Sequence, residues 1–98
     1  MLFLATWDFV DTSEEGLKRS LSIFQNWQPP AGAEFKGFYA YADSMGGAAI
    51  IEADSAATLA RTTAPWVPWL AFTVKPLIPI EDSVAISAEA SAFLDSVQ

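Results

Sequence analysis

The segment from Glu34 to Asp54 reads EFKGFYAYADSMGGAAIIEAD, and it decides the interpretation of the whole chain. Residues 34–42 are rich in aromatic side chains and residues 48–53 form a second apolar run, and both features are typical of β-strands. Residues 43–47, between the two runs, include two glycines and are typical of a turn. The segment therefore predicts a β-hairpin with its Gly-Gly pair in the turn.

Helical patterns flank this hairpin on both sides. Before it, apolar residues recur at helical spacing up to Trp27, after a capping box formed by Thr12 and Glu15. After it, Ser55 and the aspartate before it offer side-chain oxygens that can cap a second helix. The sequence therefore predicts one helix on each side of the hairpin.

Two further strands are predicted outside these helices, at Leu2–Phe9 and at residues 71–78. The element order becomes βαββαβ, which is an α+β fold. Because each βαβ crossover is right-handed, this order folds most simply into a four-stranded antiparallel sheet with both helices on one face.

A third helix is predicted beyond Pro79, with Asp82 or Ser83 as its cap. It carries one apolar stripe, formed by Ile86, Ala90, Phe93, Leu94 and Val97. Such a stripe must pack either on the protein's own sheet or on a partner subunit. We therefore expect a single domain over residues 1–98, in which residues 80–98 are a C-terminal helical extension.

The first strand is apolar on both faces, which predicts a homodimer. Phe3, Ala5 and Trp7 point one way, whereas Leu2 and Leu4 point the other way. Two helices can cover only one face of the sheet, and 52% of the 98 residues are hydrophobic. We expect a second subunit to cover the other face, so that two sheets enclose a barrel-like core.

Composition excludes several classes of function. The chain has 12 acidic and 5 basic residues, so its net charge of −7 opposes binding to nucleic acid and to anionic membranes. It contains no Cys and no His, which removes disulfides, thiolate and imidazole catalysis and the usual ligands of zinc and haem. The apolar start lacks a basic leader, and no apolar stretch is long enough for a membrane helix. We expect a cytoplasmic protein without a cofactor.

Three segments resemble a small family of uncharacterised domains, the domain-of-unknown-function family of type 3303. They are Met1–Trp7, the Gly46–Gly47 pair leading into Ile50–Asp54, and Trp66–Pro76. That family looks like a member of the dimeric α/β-barrel superfamily, whose fold is ferredoxin-like. The resemblance implies the same fold and a homodimer, but no specific chemistry.

Some relatives in that superfamily are cofactor-free oxygenases of aromatic substrates or haem-degrading enzymes, which use Asn, Trp and His in their pockets. This chain has Asn26 and Trp27 on its first helix but no histidine. A histidine-ligated haem is therefore excluded, and a cofactor-free monooxygenase is the weakest of the functional alternatives.

A polar cluster is predicted on one side of the sheet. Strand alternation puts Thr6, Asp8, Glu52, Thr73 and Lys75 on what can be one face. Carboxylates near a lysine can bind a ligand, but Glu52 and Lys75 equally fit a compensating ion pair at the sheet end or dimer rim. A carboxylate metal site at Asp8 and Glu52 would need further oxygen ligands.

Aromatic residues predict an apolar cleft between sheet and helices. The residues are Trp7, Trp27, Tyr39, Tyr41, Trp66 and Trp69, with Asn26 and the two tyrosines as polar ends. The same side chains equally fit ordinary core or interface packing. The predicted ligand-binding residues are Trp7, Asn26, Trp27, Tyr39, Tyr41, Glu52, Trp66 and Lys75, and no catalytic or metal-binding residue is predicted.

Two functions of different classes follow from these patterns. The first is a homodimer that binds a small hydrophobic or aromatic molecule in the cleft. The second is a non-catalytic interaction module whose aromatic residues fill its core and subunit interface. An open cleft beside Trp27 and Tyr39 favours the first function, and a fully packed interior favours the second.

Overall fold

A computed structural model describes residues 1–97 of the chain. The elements in chain order are β1 (Leu2–Phe9), α1 (Glu14–Asn26), β2 (Ala33–Ala40), β3 (Gly46–Ala53), α2 (Ala56–Thr63), a 3₁₀ turn (Ala64–Trp66), β4 (Leu70–Leu77) and α3 (Ile80–Ser96). The predicted order, βαββαβ followed by a third helix, is confirmed.

The four strands form one antiparallel sheet in the order β2-β3-β1-β4. Alternate residues of the two central strands, such as Phe3 and Ile51, are buried together with Leu59 of α2. We call this side the helix face. The other side, which carries Leu4 and Ile50 and is only half-buried, is the open face. The predicted ferredoxin-like α+β architecture is confirmed.

The Gly-Gly pair lies in β3, so its predicted place in the turn is wrong. The turn spans residues 41–45, and Ser44 takes the positive φ of 64°. A Cβ at Gly46 would overlap the backbone carbonyl of Trp7 on β1, and a Cβ at Gly47 would overlap the Trp7 ring. The glycines are needed for the close approach of two strands and not for a turn conformation.

Ser13, and not Thr12, caps the start of α1. Its hydroxyl accepts a hydrogen bond from the Gly16 N–H at 3.1 Å. The Asp11 carboxylate in turn accepts from the Ser13 N–H at 2.9 Å. Hydrogen bonding from Ser13, through its side chain and its backbone, holds the pKa of Asp11 below the ordinary 3.8.

We expect Asp11→Asn to lower the urea midpoint slightly near neutral pH, because asparagine keeps an acceptor oxygen but loses the charge. A carboxylate whose pKa is depressed on folding stabilises the native state above its unfolded pKa. Its contribution disappears as the pH falls through the folded-state pKa, so the midpoints of variant and wild type should converge below pH 3.8. Urea titrations near pH 7 and at about pH 3 test this. An equal difference at both values would contradict it.

The second helix begins as predicted. The Ser55 hydroxyl accepts from the Thr58 N–H at 3.2 Å, and the Thr58 hydroxyl donates to the Asp54 carboxylate. The helix buries Thr58, Leu59 and Thr62 against the sheet. It therefore forms the well-packed part of the helical layer.

The third helix begins at Ile80 after Pro79, earlier than the predicted caps at Asp82 and Ser83. None of its residues is buried, so it does not pack on its own sheet. The described molecule consequently measures 59 × 29 × 21 Å. Across residues 1–97 no helix combines the length and apolar character that crossing a bilayer requires.

Candidate functional site

An apolar cleft of about 250 Å³ lies between the helices and the helix face of the sheet. Every residue that lines it is uncharged. Strands contribute Ala5, Trp7, Phe9, Phe35, Phe38, Ala49, Ile51, Leu70 and Phe72, and the helices and their loops contribute Leu17, Ser20, Leu21, Phe24, Trp27, Thr62, Thr63 and Trp66. The cleft is therefore a hydrophobic space inside one protomer.

The cleft exists because α1 stands away from the sheet. Leu17, Leu21 and Phe24 face the cleft, yet they remain 43%, 56% and 49% exposed. The helix is tied to the rest of the domain at Trp66, whose indole N–H donates to the Ser20 carbonyl at 3.3 Å. The Trp66 ring also meets Trp27 edge-on, with 4.9 Å between ring centroids. Because α1 is held mainly near its C-terminal half, space remains between the helix and the sheet.

A chain of aromatic rings forms the walls. Trp27 meets Phe35 edge-on at 5.8 Å, Phe35 lies 4.9 Å from Phe38, and Phe38 lies 5.7 Å from Trp7. The ring centroid of Phe24, on α1, lies 5.9 Å from that of Phe38. Rings at these separations stabilise one another and present both faces and edges to a guest.

The few polar groups in the cleft are hydroxyls and not charges. The Thr62 hydroxyl donates to the Thr58 carbonyl at 3.0 Å, and the Thr63 hydroxyl donates to the Ala60 carbonyl at 3.3 Å. Because their protons are used within α2, both oxygens retain only lone pairs for a guest. The cleft therefore offers these two groups as hydrogen-bond acceptors.

A β-bulge in β2 places Tyr39 outside the cleft. The pairing of β2 with β3 shifts between Phe35 and Gly37, so that Phe35 and Phe38 both face the cleft. Tyr39 then pairs with Ala48 on the open face and is 68% exposed. Regular alternation would have put Phe35 and Tyr39 on one face.

Three of the eight predicted ligand-binding residues meet in the cleft, namely Trp7, Trp27 and Trp66. Asn26 is not among its lining residues, and its amide donates to the Ser22 carbonyl of its own helix at 2.8 Å. Tyr41, which follows β2, does not line the cleft either. Sequence patterns missed Phe35, Phe38 and Phe72, although each is an aromatic residue of a predicted strand.

The remaining predicted residues, Glu52 and Lys75, lie on the open face. The register places Thr6 beside Thr73 and Lys75 beside Leu4, as the predicted polar face requires. Within residues 1–97, however, Glu52 pairs with the N-terminal amine at 3.0 Å and forms no ion pair with Lys75. The alternative of an ion pair between these two side chains at the sheet end is therefore wrong within one protomer.

The weaker alternative of a carboxylate metal site at Asp8 and Glu52 is also wrong. Glu52 pairs in register with Leu2, whereas Asp8 pairs with Gly46 at the other end of the same strands. Six residues of extended strand separate the two positions, which is roughly 20 Å. Two carboxylates so far apart cannot share one ion.

A family model described as Domain of unknown function (DUF3303) matches residues 1–91. This range includes all four strands, α1, α2 and the first part of α3. The chain belongs to this family. No curated protein is significantly similar to this DUF3303 domain.

Proposed function

We propose that this DUF3303 domain binds a small, neutral aromatic molecule in the cleft under α1. The observation that carries the proposal is a space of about 250 Å³ lined by uncharged residues. An apolar space of this kind is filled favourably by a hydrophobic guest, because water inside it finds few hydrogen-bond partners.

The chemistry of the walls specifies a neutral ligand. A buried charge without a partner is strongly unfavourable, and the lining has no charged residue to provide one. The Trp66 N–H already donates to a backbone carbonyl, so the remaining groups in the helical wall include the acceptor oxygens of Thr62 and Thr63. A hydroxyl or amine on the ligand would complement these oxygens.

The volume restricts the size of the ligand. An engineered cavity of about 150 Å³ admits benzene, whereas pockets for drug-sized ligands range over roughly 300–1,000 Å³. At about 250 Å³, the cleft fits a molecule of roughly two fused rings. Aromatic walls with edge-on rings suit such a flat guest.

The cleft favours this function over the alternatives. A non-catalytic interaction module with a packed interior would leave no such space beside Trp27. A monooxygenase of the kind found in related folds would need Asn26 beside the bound molecule, and its amide is engaged on its own helix. Ligand binding therefore has the support of the geometry, and we assign no reaction to it.

The same proposal includes a homodimer in the cytoplasm. Leu4, Ile50 and Leu77 are apolar residues of the open face, with Lys75 beside Leu4, and no helix within residues 1–97 covers them. Two copies that place their open faces together would bury this surface in a barrel-like core. The clefts lie on the helical side of each sheet, away from the two open faces that meet in that dimer.

We expect the neutral two-ring fluorophore 1-naphthylamine to bind in the cleft and to shift its emission to shorter wavelength there. Leu21→Trp should weaken this binding at least about tenfold, because the larger ring occupies the mouth of the cleft. Ser22→Trp adds the same side chain on the outer face of α1 and should bind the fluorophore like the wild type. Fluorescence titration of the three proteins measures the effect.

Thermal unfolding provides an independent check, because a ligand that prefers the native state raises the melting temperature. The fluorophore should raise it for wild type and Ser22→Trp and not for Leu21→Trp. Absence of binding to the wild type, or equal binding to both tryptophan variants, would refute the proposed site.

A further inference from the structure

Helix α3 is the longest element within residues 1–97, and none of its residues is buried. Its apolar stripe, from Ile86 to Val97, is exposed along its whole length, with Phe93 at 64% and Leu94 at 58%. The family match extends to residue 91, so most of this helix belongs to the family's common domain. An apolar helix in this position requires a partner surface.

The exposed area of the chain indicates the size of that surface. Its accessible surface is 6743 Å², whereas a compact monomer of this mass exposes about 5,500 Å². The radius of gyration is 17.6 Å, against roughly 13 Å for a compact domain of this length. The excess is about 1,200 Å² per chain, and a standard interface buries about 800 Å² per partner. The surplus is thus large enough for a stable dimer.

A complementary groove lies at the opposite edge of the sheet. It runs between α1 and β2 and is lined by Phe24, Trp27, Pro29, Ala33, Glu34, Phe35 and Phe38. We call it the edge groove. Phe24 and Phe38 are about half exposed there, and Glu34 is its one charged lining residue. A groove of this composition suits the apolar stripe of a helix.

The α3 helix starts at the edge of the sheet opposite to the edge groove of the same chain. It follows β4, and β4 and β2 are the two outer strands of the sheet. In a face-to-face dimer with a two-fold axis parallel to the strands, the β4 edge of one copy lies beside the β2 edge of the other. The groove within reach of α3 then belongs to the second copy.

We propose that two copies of this chain exchange their α3 helices, each helix packing its apolar stripe into the edge groove of the other copy. The proposal rests on the homodimer proposed above and adds the element that holds it together. The exchanged helix covers Phe24 and Phe38 at the side of the cleft, so each ligand site is completed by the partner.

Mass measurement by light scattering tests the role of the stripe. The wild type forms a dimer, and Phe93→Asp raises the dissociation constant at least about tenfold, because it puts a charge into the apolar contact. Ala92→Asp introduces the same charge on the other side of the helix and leaves the dimer intact. A monomeric wild type overturns both the homodimer and the exchange. A dimer that Phe93→Asp leaves unchanged overturns the exchange alone.

Disulfide formation tests whether α3 occupies the edge groove of the other copy. The natural chain has no cysteine, so a disulfide can form only between introduced cysteines. Glu34→Cys and Leu94→Cys, made in separate chains and mixed under oxidising conditions, form a covalent heterodimer across the edge groove. A chain carrying both substitutions forms cross-linked dimers. A disulfide only within single chains shows that α3 folds back on its own protomer, and absence of any cross-link in a dimeric protein places α3 elsewhere. Either result overturns the proposal.

Discussion

Trp66→Ala is expected to cost about 3–5 kcal/mol of unfolding free energy, the range for removing a large buried aromatic side chain. Trp66 is 8% exposed, packs edge-on against Trp27 and bonds to the Ser20 carbonyl of α1. Because small domains have only about 5–15 kcal/mol of stability, this loss would unfold much of the population under mild denaturing conditions. Urea unfolding followed by circular dichroism measures it.

Trp66→Phe distinguishes the stability that comes from ring packing from the stability that comes from the indole hydrogen bond. It keeps a six-membered ring but loses the indole N–H and the rest of the bicyclic ring, so its cost should be about 1–2 kcal/mol, well below that of Trp66→Ala. The Phe variant should also retain the fluorophore site under α1, since the helix remains packed against a ring. Equal destabilisation by both substitutions would show that the hydrogen bond, and not ring packing, holds α1.

The fold was predictable because its signals are local. Alternating apolar residues predict the strands, and the 3.6-residue period predicts the helices. The sequence wrongly predicts the Gly-Gly pair in the turn because glycine has two structural uses that cannot be distinguished in a sequence. It allows turn conformations, and it allows close contact between strands, which is what Trp7 requires of Gly46 and Gly47.

The candidate site was only partly predictable from the sequence, because one extra residue in β2 forms a bulge. Trp7, Trp27 and Trp66 line the cleft, whereas Trp69, which the sequence also predicts there, does not. Tyr39 does not line it either, because the bulge beside Lys36 reverses the facing of every later residue in β2. Gly37, a glycine inside a strand pattern, is a local signal of a bulge, but the position of the register shift depends on pairing with the neighbouring strand.

The distance between α1 and the sheet was also not predictable from the sequence. Leu17, Leu21 and Phe24 predict a helix that buries its apolar stripe, and a fully packed helix would have erased the cleft. The structure leaves these residues half exposed over an open space. Periodicity specifies which face of a helix turns inward, but the distance between that face and the sheet depends on the side chains between them.

Gly46→Ala is expected to destabilise the domain by about 3 kcal/mol, at the upper end of the range for overpacking. Its new methyl group would overlap the carbonyl oxygen of Trp7, which is backbone and cannot rotate away. Relief would require β1 and β3 to separate at the point where β3 begins. The hydrogen bond from the Tyr41 N–H to the Gly46 carbonyl, at 2.8 Å, would be strained as well.

Gly37→Ala is the matched control in the neighbouring strand. A Cβ at Gly37 would meet the ring of Tyr39, which is exposed and can move, so the variant should lie within about 1 kcal/mol of the wild type. Thermal and urea unfolding of the two variants give the comparison. If Gly46→Ala were as stable as Gly37→Ala, the two central strands would not be in the close contact that positions Trp7 over Gly47 and forms one wall of the cleft.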